Sequence, residues 1–251
     1  MILTSEIRPI RFAQDTLNKY HISDPSLIDV KDIIYCENIF VKEILMESCQ
    51  GNLTRQGKFG IININSKIKN KNKKRFVLAH ELGHWIMHKD QMTFACTELD
   101  FNLQVNNPKK VEFEANTFAG ELLMPSNLLK KDCEQKEFNF ELLNSLSLKY
   151  NISLTAISIK MISLNISPIF LIFSSNGEIQ WSKKSLSFSF EFFSKGSLPS
   201  NSLTFKYFKN NFPIASSEAI LAKTWFNKDL KVKDDSYLTE LVVYILPSLT
   251  P

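Results

Sequence analysis

The chain has 251 residues, of which 44% are hydrophobic and 12% aromatic, a composition typical of a folded globular protein rather than a disordered one. Its formal net charge of +4 is too small to indicate a nucleic-acid-binding protein by itself, and the basic run Lys67–Arg75 is interpreted as the solvated entry to a helix. No segment reaches the roughly 18 apolar residues that span a bilayer, and Met1–Phe12 lacks the apolar core of a signal peptide.

The first part of the chain predicts two helices followed by three short strands. The pattern of Ile10–Tyr20 is helical, and a turn at Asp24-Pro25 leads into a second helix near Ser26–Cys36. Three extended segments follow: Ile39–Leu45, Gly51–Thr54 and Lys58–Ile64. The residues Arg55-Gln56-Gly57 predict a hairpin turn between the last two of them.

A longer helix is predicted from about Lys73 to Lys89. Apolar or small residues recur along it at spacings of three and four, which predicts one buried stripe: Phe76, Ala79, Gly83 and Ile86. A glycine inside a helix costs about 1 kcal/mol relative to alanine. Gly83 therefore indicates that another element packs closely against this helix.

The same helix carries the most informative motif of the chain, His80-Glu81-Leu82-Gly83-His84. Residues four apart project from one face of a helix, so two imidazoles can occupy two corners of a tetrahedral zinc site. The intervening Glu81 then lies beside the open corner, where a general base is needed. A pentapeptide can also arise by chance, and two ordinary helix histidines are the alternative interpretation.

Residues 90–107 show no periodicity and predict a connector. Asn107-Pro108 then predicts the start of a second helix, which should run to about Leu123 because a proline follows at position 125. One face of this helix carries small and polar residues: Glu112, Ala115, Asn116 and Ala119. The small alanines allow close approach to another backbone, an arrangement that would place Glu112 against His80 and His84.

Two histidines alone bind zinc poorly, so a third protein ligand is expected. The candidates are Glu112, Asp90, His88 and Cys96. Asp90 has the metzincin spacing without the glycine which that geometry needs, His88 lies a full turn past the metal, and Cys96 lies in the connector. Glu112 fits best, and Asn116 one turn later could orient a ligand histidine.

Beyond Pro125 the sequence predicts more helices and then strands. Ser126 can cap a further helix, and Phe140–Tyr150 with Ser153–Ser163 predict a pair of helices joined by a short turn, like a helix-turn-helix. Only two basic residues lie in this pair, Lys149 and Lys160. Direct DNA binding is therefore not expected, because phosphate neutralisation needs more positive charge.

The last part of the chain predicts a small, β-rich domain. Ser175-Asn176-Gly177 predicts a hairpin between strands at Pro168–Phe173 and Glu178–Trp181. Alternating phenylalanines follow, and they are interpreted as core rather than as a ligand site: Phe188, Phe190 and Phe192. No CxxC pair joins any of the four cysteines, which argues against a disulfide framework and favours a cytoplasmic protein with reduced thiols.

Three strings of the sequence resemble the ImmA/IrrE family of metallopeptidases: Arg75–His84, Glu112–Ala119 and Glu121–Pro125. In that family a histidine pair and a base glutamate are followed by a second glutamate three residues before an Ala-Asn or Ala-Asp pair, and then by Leu-Leu-Met-Pro. The resemblance covers roughly residues 10–165. It implies one Zn²⁺ per chain held by His80, His84 and Glu112, with Glu81 as the catalytic base.

By this resemblance the protein is a zinc-dependent endopeptidase that cleaves a helix-turn-helix repressor and so derepresses mobile-element or stress-response genes. The strand at Phe59–Ile64 would pair with the substrate backbone. Four residues are candidates for stabilising the oxyanion: Tyr35, Arg55, His88 and Tyr150. The alternative is a regulatory DNA- or ligand-binding module with a structural or vestigial metal site, but such a site has no need of Glu81.

The predicted fold class is α+β, in three parts. Residues 1–125 would form a zincin-like metallopeptidase domain with a small sheet and the motif-bearing helix. Residues 126–165 would form a helix-turn-helix-like helical subdomain. Residues 166–251 would form a C-terminal α/β domain, which weakly resembles the GAF-like sensor module of longer family members.

Overall fold

The computed structural model of the chain describes residues 4–89, 93–97, 110–191, 196–210, 215–226, 229, 231–233 and 235–243. Helices and strands are mixed along the chain, which confirms the predicted α+β class. Two compact units are present: Met1–Glu134 with Ser145–Lys160, and Gln135–Asn144 with Met161–Pro251. The predicted domain limits at residues 125 and 165, and the GAF-like character of the last part, stay predictions. None of the described helices is long and apolar enough to cross a membrane.

The first unit begins with two helices: α1 (Thr4–Lys19) and α2 (Val30–Cys36). The sequence places the beginning of the first helix at Ile10, but α1 begins earlier, at Thr4. The second predicted helix, Ser26–Cys36, is divided into a 3-10 turn at Pro25–Leu27 and α2. The division follows from capping, because the side chain of Asp29 accepts a hydrogen bond from the backbone N–H of Lys31 and so starts α2.

Four strands form one sheet in the order β1-β3-β2-β4: β1 (Ile39–Ile44), β2 (Cys49–Gln56), β3 (Phe59–Asn65) and β4 (Thr93–Thr97). β3 is parallel to β1 and antiparallel to β2, which is antiparallel to β4. The prediction that Phe59–Ile64 pairs with a substrate is therefore wrong, because both sides of β3 are already paired. The connector predicted at residues 90–107 is wrong for Thr93–Thr97, since pairing with the distant β2 makes this segment a strand.

The helix that carries the histidine motif, α3 (Lys71–Met87), lies between the sheet and α4 (Lys110–Leu123). On the sheet side, a Cβ added at Gly60 of β3 would lie 2.7 Å from Cζ3 of Trp85. On the α4 side, a Cβ added at Gly83 would lie 2.9 Å from Cδ1 of Phe118. The close packing expected from a glycine inside the helix is thus confirmed.

Burial of α3 differs from the single stripe that its periodicity predicts. Every residue from Val77 to Trp85 is buried, whereas Phe76 and Ile86 are only half-buried. The reason is that other elements cover the helix on opposite sides, so its polar motif residues are buried as well. The basic run Lys67–Arg75 extends into the first turns of α3. Lys67 is exposed, as interpreted, but Arg75 is part of the helix and donates to the backbone carbonyls of Pro25 and Ile28.

Glu121, near the end of α4, is fully buried and connects several helices. Its carboxylate accepts hydrogen bonds from the Lys160 ammonium at 2.7 Å, the Gln14 side-chain amide at 3.1 Å and the Ser126 backbone N–H at 3.1 Å. The partners lie on three further helices: α7 (Leu154–Ser163), α1 and α5 (Ser126–Cys133). The sequence predicts Ser126 as the cap of α5, but Ser126 is its first residue, and Glu121 accepts from its N–H instead.

We expect Glu121→Gln to lower the free energy of unfolding at pH 7 by about 3 kcal/mol, because it leaves the mostly buried Lys160 without a carboxylate partner. Desolvation raises the pKa of Glu121, but Lys160 and Ser126 more than offset this, so the folded pKa lies below the ordinary value of 4.5. The stabilisation is therefore complete above about pH 4.5 and is lost as the pH falls through the lower folded pKa. Urea unfolding of both proteins across this range measures the difference.

The matched control for this experiment is Glu43→Gln. Glu43 pairs with Lys74 in a partly exposed ion pair, and exposed pairs typically contribute only about 0.2–1 kcal/mol. Equal losses of stability in the two variants would contradict the special contribution of the Glu121 pair.

The predicted helix pair and the predicted hairpin are both confirmed. The helices are α6 (Phe140–Tyr150) and α7, and Asn151 between them has a positive φ of 52°. The hairpin joins β5 (Phe170–Ser175) to β6 (Glu178–Lys184). Its loop residues Asn176 and Gly177 both have positive φ, 54° and 77°, as a type I′ turn requires.

The second unit continues with short elements around an aromatic core. They are β7 (Gly196–Ser197), α8 (Leu203–Asn210), β8 (Ala215–Leu221), α9 (Lys223–Phe226) and β9 (Tyr237–Val243). Phe188 and Phe190 pack against the ring of Phe226 at centroid distances of 5.4 and 5.5 Å. This packing agrees with their interpretation as core residues, whereas Phe192 lies outside the described residues.

Candidate metal centre

Three side chains from α3 and α4 converge on one point. The Nε2 atoms of His80 and His84 are 3.0 Å apart, and Oε2 of Glu112 lies 3.2 Å from the first and 3.3 Å from the second. In the described part of the chain, this is the only group of three or more histidine, cysteine or acidic side chains close enough to share a metal ion. The structure thus brings together the three residues predicted as ligands.

The spacing of these atoms fits a tetrahedral metal ion. Zinc bonds to histidine nitrogen and carboxylate oxygen are about 2.0–2.2 Å long, which places neighbouring ligands of a tetrahedron about 3.3 Å apart. The observed separations, 3.0 to 3.3 Å, are close to this value. All three residues are buried, and a cation at the centre would satisfy two nitrogen lone pairs and a carboxylate that otherwise face each other. The donor set, two imidazoles and a carboxylate, is one that zinc accepts.

The protonation states expected of metal ligands are favoured by the surroundings. Burial lowers the pKa of His84 to about 4, so its imidazole is neutral at neutral pH. Desolvation raises the pKa of Glu112, but hydrogen bonds with His80 and His84 more than offset this and hold it far below its usual range. A neutral imidazole and an ionised carboxylate are the forms that bind a metal ion.

His80 is oriented by a residue of α4. Its Nδ1 lies 2.9 Å from Oδ1 of Asn116, one turn after Glu112 on the same helix. Since an amide oxygen can only accept, Nδ1 must carry the proton, and the lone pair of Nε2 then points towards Glu112 and His84. The sequence suggests Asn116 as the residue that orients a ligand histidine, and Asn116 lies beside His80 in the structure.

The Nδ1 atom of His84 faces a different kind of partner. It lies 3.0 Å from Nδ1 of His88, whose Nε2 lies 3.0 Å from Oε2 of Glu114. The same carboxylate oxygen forms an ion pair with Arg8 of α1. His88, one of the alternative ligands, therefore contacts the outer side of a ligand histidine rather than the point where the three ligands converge.

Sequence reasoning named His88 as a candidate but missed Glu114 and Arg8. His88 follows His84 by four residues, a signal that predicts adjacent side chains on a helix. No local signal predicts that Glu114 closes on His88 or that Arg8, far away in the chain, closes on Glu114. Those contacts depend on the packing of α1 and α4 beside α3.

The structure places only some of the remaining candidates from the sequence. Asp90 and the side chain of Cys96 lie outside the described residues, although the backbone of Cys96 belongs to β4. Among the oxyanion candidates, Tyr35 is mostly exposed, and Arg55 stacks on the ring of Trp85 and donates to the Trp85 backbone carbonyl. Tyr150 donates to Asp132, and burial with this hydrogen bond raises its pKa.

Glu81 is fully buried between the two histidines and faces β2. A Cβ added at Gly51 of β2 would lie 2.8 Å from Oε1 of Glu81 and 2.7 Å from Cγ1 of Val77. A side chain at this place in the strand would therefore require Glu81 or Val77 to shift. The backbone of β2 therefore forms one wall of the space that Glu81 occupies.

Comparison with known families identifies the part of the chain that carries these residues. Residues 37–161 match the family model Peptidase_M78, described as the IrrE N-terminal-like domain. The match includes α3 and α4 with the whole three-residue cluster, but α1 with Arg8 precedes it. No curated protein matches the chain.

Proposed function

Because residues 37–161 belong to the ImmA/IrrE family of metallopeptidases, we propose that the chain is a zinc-dependent endopeptidase. His80, His84 and Glu112 hold one zinc ion, and Glu81 is the catalytic base. The observation that carries the proposal is the convergence of three ligand atoms from α3 and α4 within 3.3 Å of one another. The two histidines lie on α3, which also bears the buried Glu81 between them in sequence.

The chain's own residues can perform the steps of peptide hydrolysis. When bound, zinc supplies Lewis acidity, which lowers the pKa of a water molecule towards 7 and polarises a carbonyl group. Glu81 accepts the proton of the attacking water at a carboxylate oxygen and passes it to the nitrogen of the departing amine. Asn116 holds His80 in the tautomer that keeps Nε2 available.

The proposed substrate is a helix-turn-helix transcriptional repressor, as in the family that the chain resembles, and its cleavage derepresses mobile-element or stress-response genes. Such a substrate places the protein in the cytoplasm. A protein substrate, rather than DNA, agrees with the two lysines of α6 and α7: Lys149 pairs with Asp132 and Lys160 with Glu121. Their charges are thus partly neutralised within the protein.

The pairing of substrate with the sheet is reassigned to β4. Among the described strands, β4 pairs with β2 alone and so leaves one edge for a further strand. β2 also carries Gly51, which faces Glu81. A peptide added to the outer edge of β4 would extend the sheet whose neighbouring strand contacts the proposed base.

A second function is favoured by one observation. His80 and His84 are completely buried, and closed sites are typical of structural zinc, whereas catalytic sites keep a position open. On this alternative the protein is a non-proteolytic regulatory module that binds DNA or a ligand. The buried Glu81 argues for the peptidase, because a structural site needs no base.

The decisive experiment searches the adjacent reading frames for a small helix-turn-helix repressor and pairs the protein with it. The two purified proteins are incubated with zinc, and products are identified by mass spectrometry. We expect one defined cut, abolished by a chelator and restored by added zinc, while an unrelated helix-turn-helix repressor stays intact. A zinc-loaded protein that leaves its neighbouring repressor whole, yet retains DNA in a salt-sensitive manner, would favour the regulatory module.

Gly51→Ala should slow cleavage by about 10²-fold while zinc binding stays close to that of the parent protein. The added Cβ would crowd Oε1 of Glu81, and a displacement of about 1 Å in a reacting group can cost this much. The heavy atoms nearest to the added Cβ belong to Val77 and Glu81 and not to the three ligands, so the affinity for zinc should be preserved. Single-turnover cleavage and zinc titration of the same preparation separate the effect on catalysis from the effect on zinc binding. An unchanged cleavage rate would contradict the proposed contact between residue 51 and Glu81.

A further inference from the structure

We propose that His88, Glu114 and Arg8 form a supporting chain of hydrogen bonds that positions His84 and thereby sets the affinity of the site for its metal ion. The inference rests on the metal-binding part of the proposed function and does not depend on cleavage. None of the three residues contacts the point where the ligands converge. They act through His84, as positioning residues.

Proton positions along the supporting chain are determined by its two ends. If Nε2 of His84 binds a metal ion, its proton must be on Nδ1, which then donates to Nδ1 of His88 at 3.0 Å. An accepting Nδ1 leaves the proton of His88 on Nε2, where Oε2 of Glu114 accepts it at 3.0 Å. Each donor thus faces an acceptor.

The reverse assignment fails at both ends. If Nδ1 of His88 donated to His84, then Nε2 of His84 would carry the proton and could not bind a metal ion. A neutral His88 would also present the lone pair of its Nε2 to the carboxylate of Glu114, which would be repulsive. Glu114 therefore selects the tautomer of His88, and His88 selects the tautomer of His84 that binds metal.

Arg8 completes the supporting chain from α1. The side chains of His88 and Glu114 are 7% and 6% exposed, so the carboxylate needs a compensating positive charge. Arg8 supplies it through Nη1 and also donates from Nη2 to the backbone carbonyl of Met87 at 2.9 Å. One guanidinium thus holds both Glu114 and the end of α3 beside His88.

This arrangement gives α1 a role at the metal centre. The match to the peptidase family begins at residue 37, whereas α1 spans Thr4–Lys19. The helix nevertheless contributes the outer charge of the supporting chain. Partners of ligand histidines commonly change metal affinity by about 10–100-fold when they are removed, so a contact from α1 can tune the site.

The test compares two substitutions of His88 in the full chain. His88→Leu removes the acceptor that faces His84, whereas His88→Asn retains an oxygen close to the position of Nδ1. Zinc affinity is measured by competition with a chromophoric chelator, and the ligand field is followed by the visible spectrum of the cobalt-substituted protein. We expect His88→Leu to weaken zinc binding by about 10–100-fold and to shift the cobalt spectrum, and His88→Asn to recover most of the affinity.

Two outer variants grade the effect along the supporting chain. Glu114→Gln and Arg8→Ala should weaken zinc binding less than His88→Leu does, because they act on His84 through one or two further groups. Thermal unfolding of the metal-free proteins accounts for any general loss of structure. If His88→Leu binds zinc like the parent protein, or if His88→Asn is no better than His88→Leu, the proposal is overturned.

The outcomes also separate this proposal from the peptidase assignment. One outcome is that the parent protein binds zinc but cleaves no repressor, and that His88→Leu weakens zinc binding. This result agrees with the proposed role of His88, Glu114 and Arg8 and contradicts the peptidase assignment. If the parent protein cleaves the repressor and His88→Leu leaves zinc binding unchanged, only the proposed role of the supporting chain is contradicted. A parent protein that binds no zinc contradicts both.

Discussion

The Glu81→Gln protein should bind about one zinc ion per chain, as the parent does, and cleave the repressor about 10²–10⁴ times more slowly. Glutamine has nearly the same shape as glutamate, so the buried space beside Gly51 stays filled. It cannot accept the proton of the attacking water, because its amide is not basic. Single-turnover cleavage, with zinc content measured on the same sample, is the appropriate assay.

Glu121→Gln provides the matched control, since it makes the same chemical change at another buried glutamate of the first unit. It should lower stability but leave cleavage near the parent rate at temperatures where both proteins are folded. Cleavage by the Glu81→Gln protein at the parent rate would remove Glu81 from the mechanism. The alternative in which the metal ion is structural would be supported if the Glu81→Gln protein also kept every other activity of the parent.

Glu112→Gln should weaken zinc binding more than any other single change discussed here, beyond the about 10–100-fold expected for partners of ligand residues. Glu112 supplies an anionic oxygen that lies 3.2 Å from Nε2 of His80 and 3.3 Å from Nε2 of His84. A neutral amide oxygen is a much weaker ligand for zinc than a carboxylate. Zinc competition titrations of the variant and the parent protein measure the loss.

Glu114→Gln is the control for this second prediction, because Glu114 lies two residues further along α4 and faces His88 instead of the ligand cluster. Its effect on zinc affinity should be clearly smaller. If the Glu112→Gln protein kept the parent affinity, the third ligand would have to be another residue. Asp90 and Cys96, both considered from the sequence, would be the first to substitute.

Features carried by neighbouring residues could be predicted from the sequence. The two histidines and Glu81 are four or fewer residues apart, so the geometry of one helix already places them together. The loop Asn176-Gly177 likewise predicts its hairpin, because positive φ angles are a property of those residues. Glu112 could be placed against the histidine pair through the small residues on its own helix face and the resemblance of the two motifs to one family.

Features that join distant elements could not be predicted in this way. The order of the sheet placed β3 in its interior and made Thr93–Thr97 an edge strand, because strand pairing depends on which backbone is adjacent and not on local pattern. The contacts of Glu114 with His88 and Arg8 have the same origin, since they exist only where α1, α3 and α4 meet. The sequence by itself thus determined the histidine pair and Glu81, through spacings within one helix, and the resemblance of its motifs to one family favoured Glu112 as the third ligand. Only the tertiary structure decided what surrounds them, because burial, ion pairing and hydrogen-bond partners arise when separate elements pack against each other.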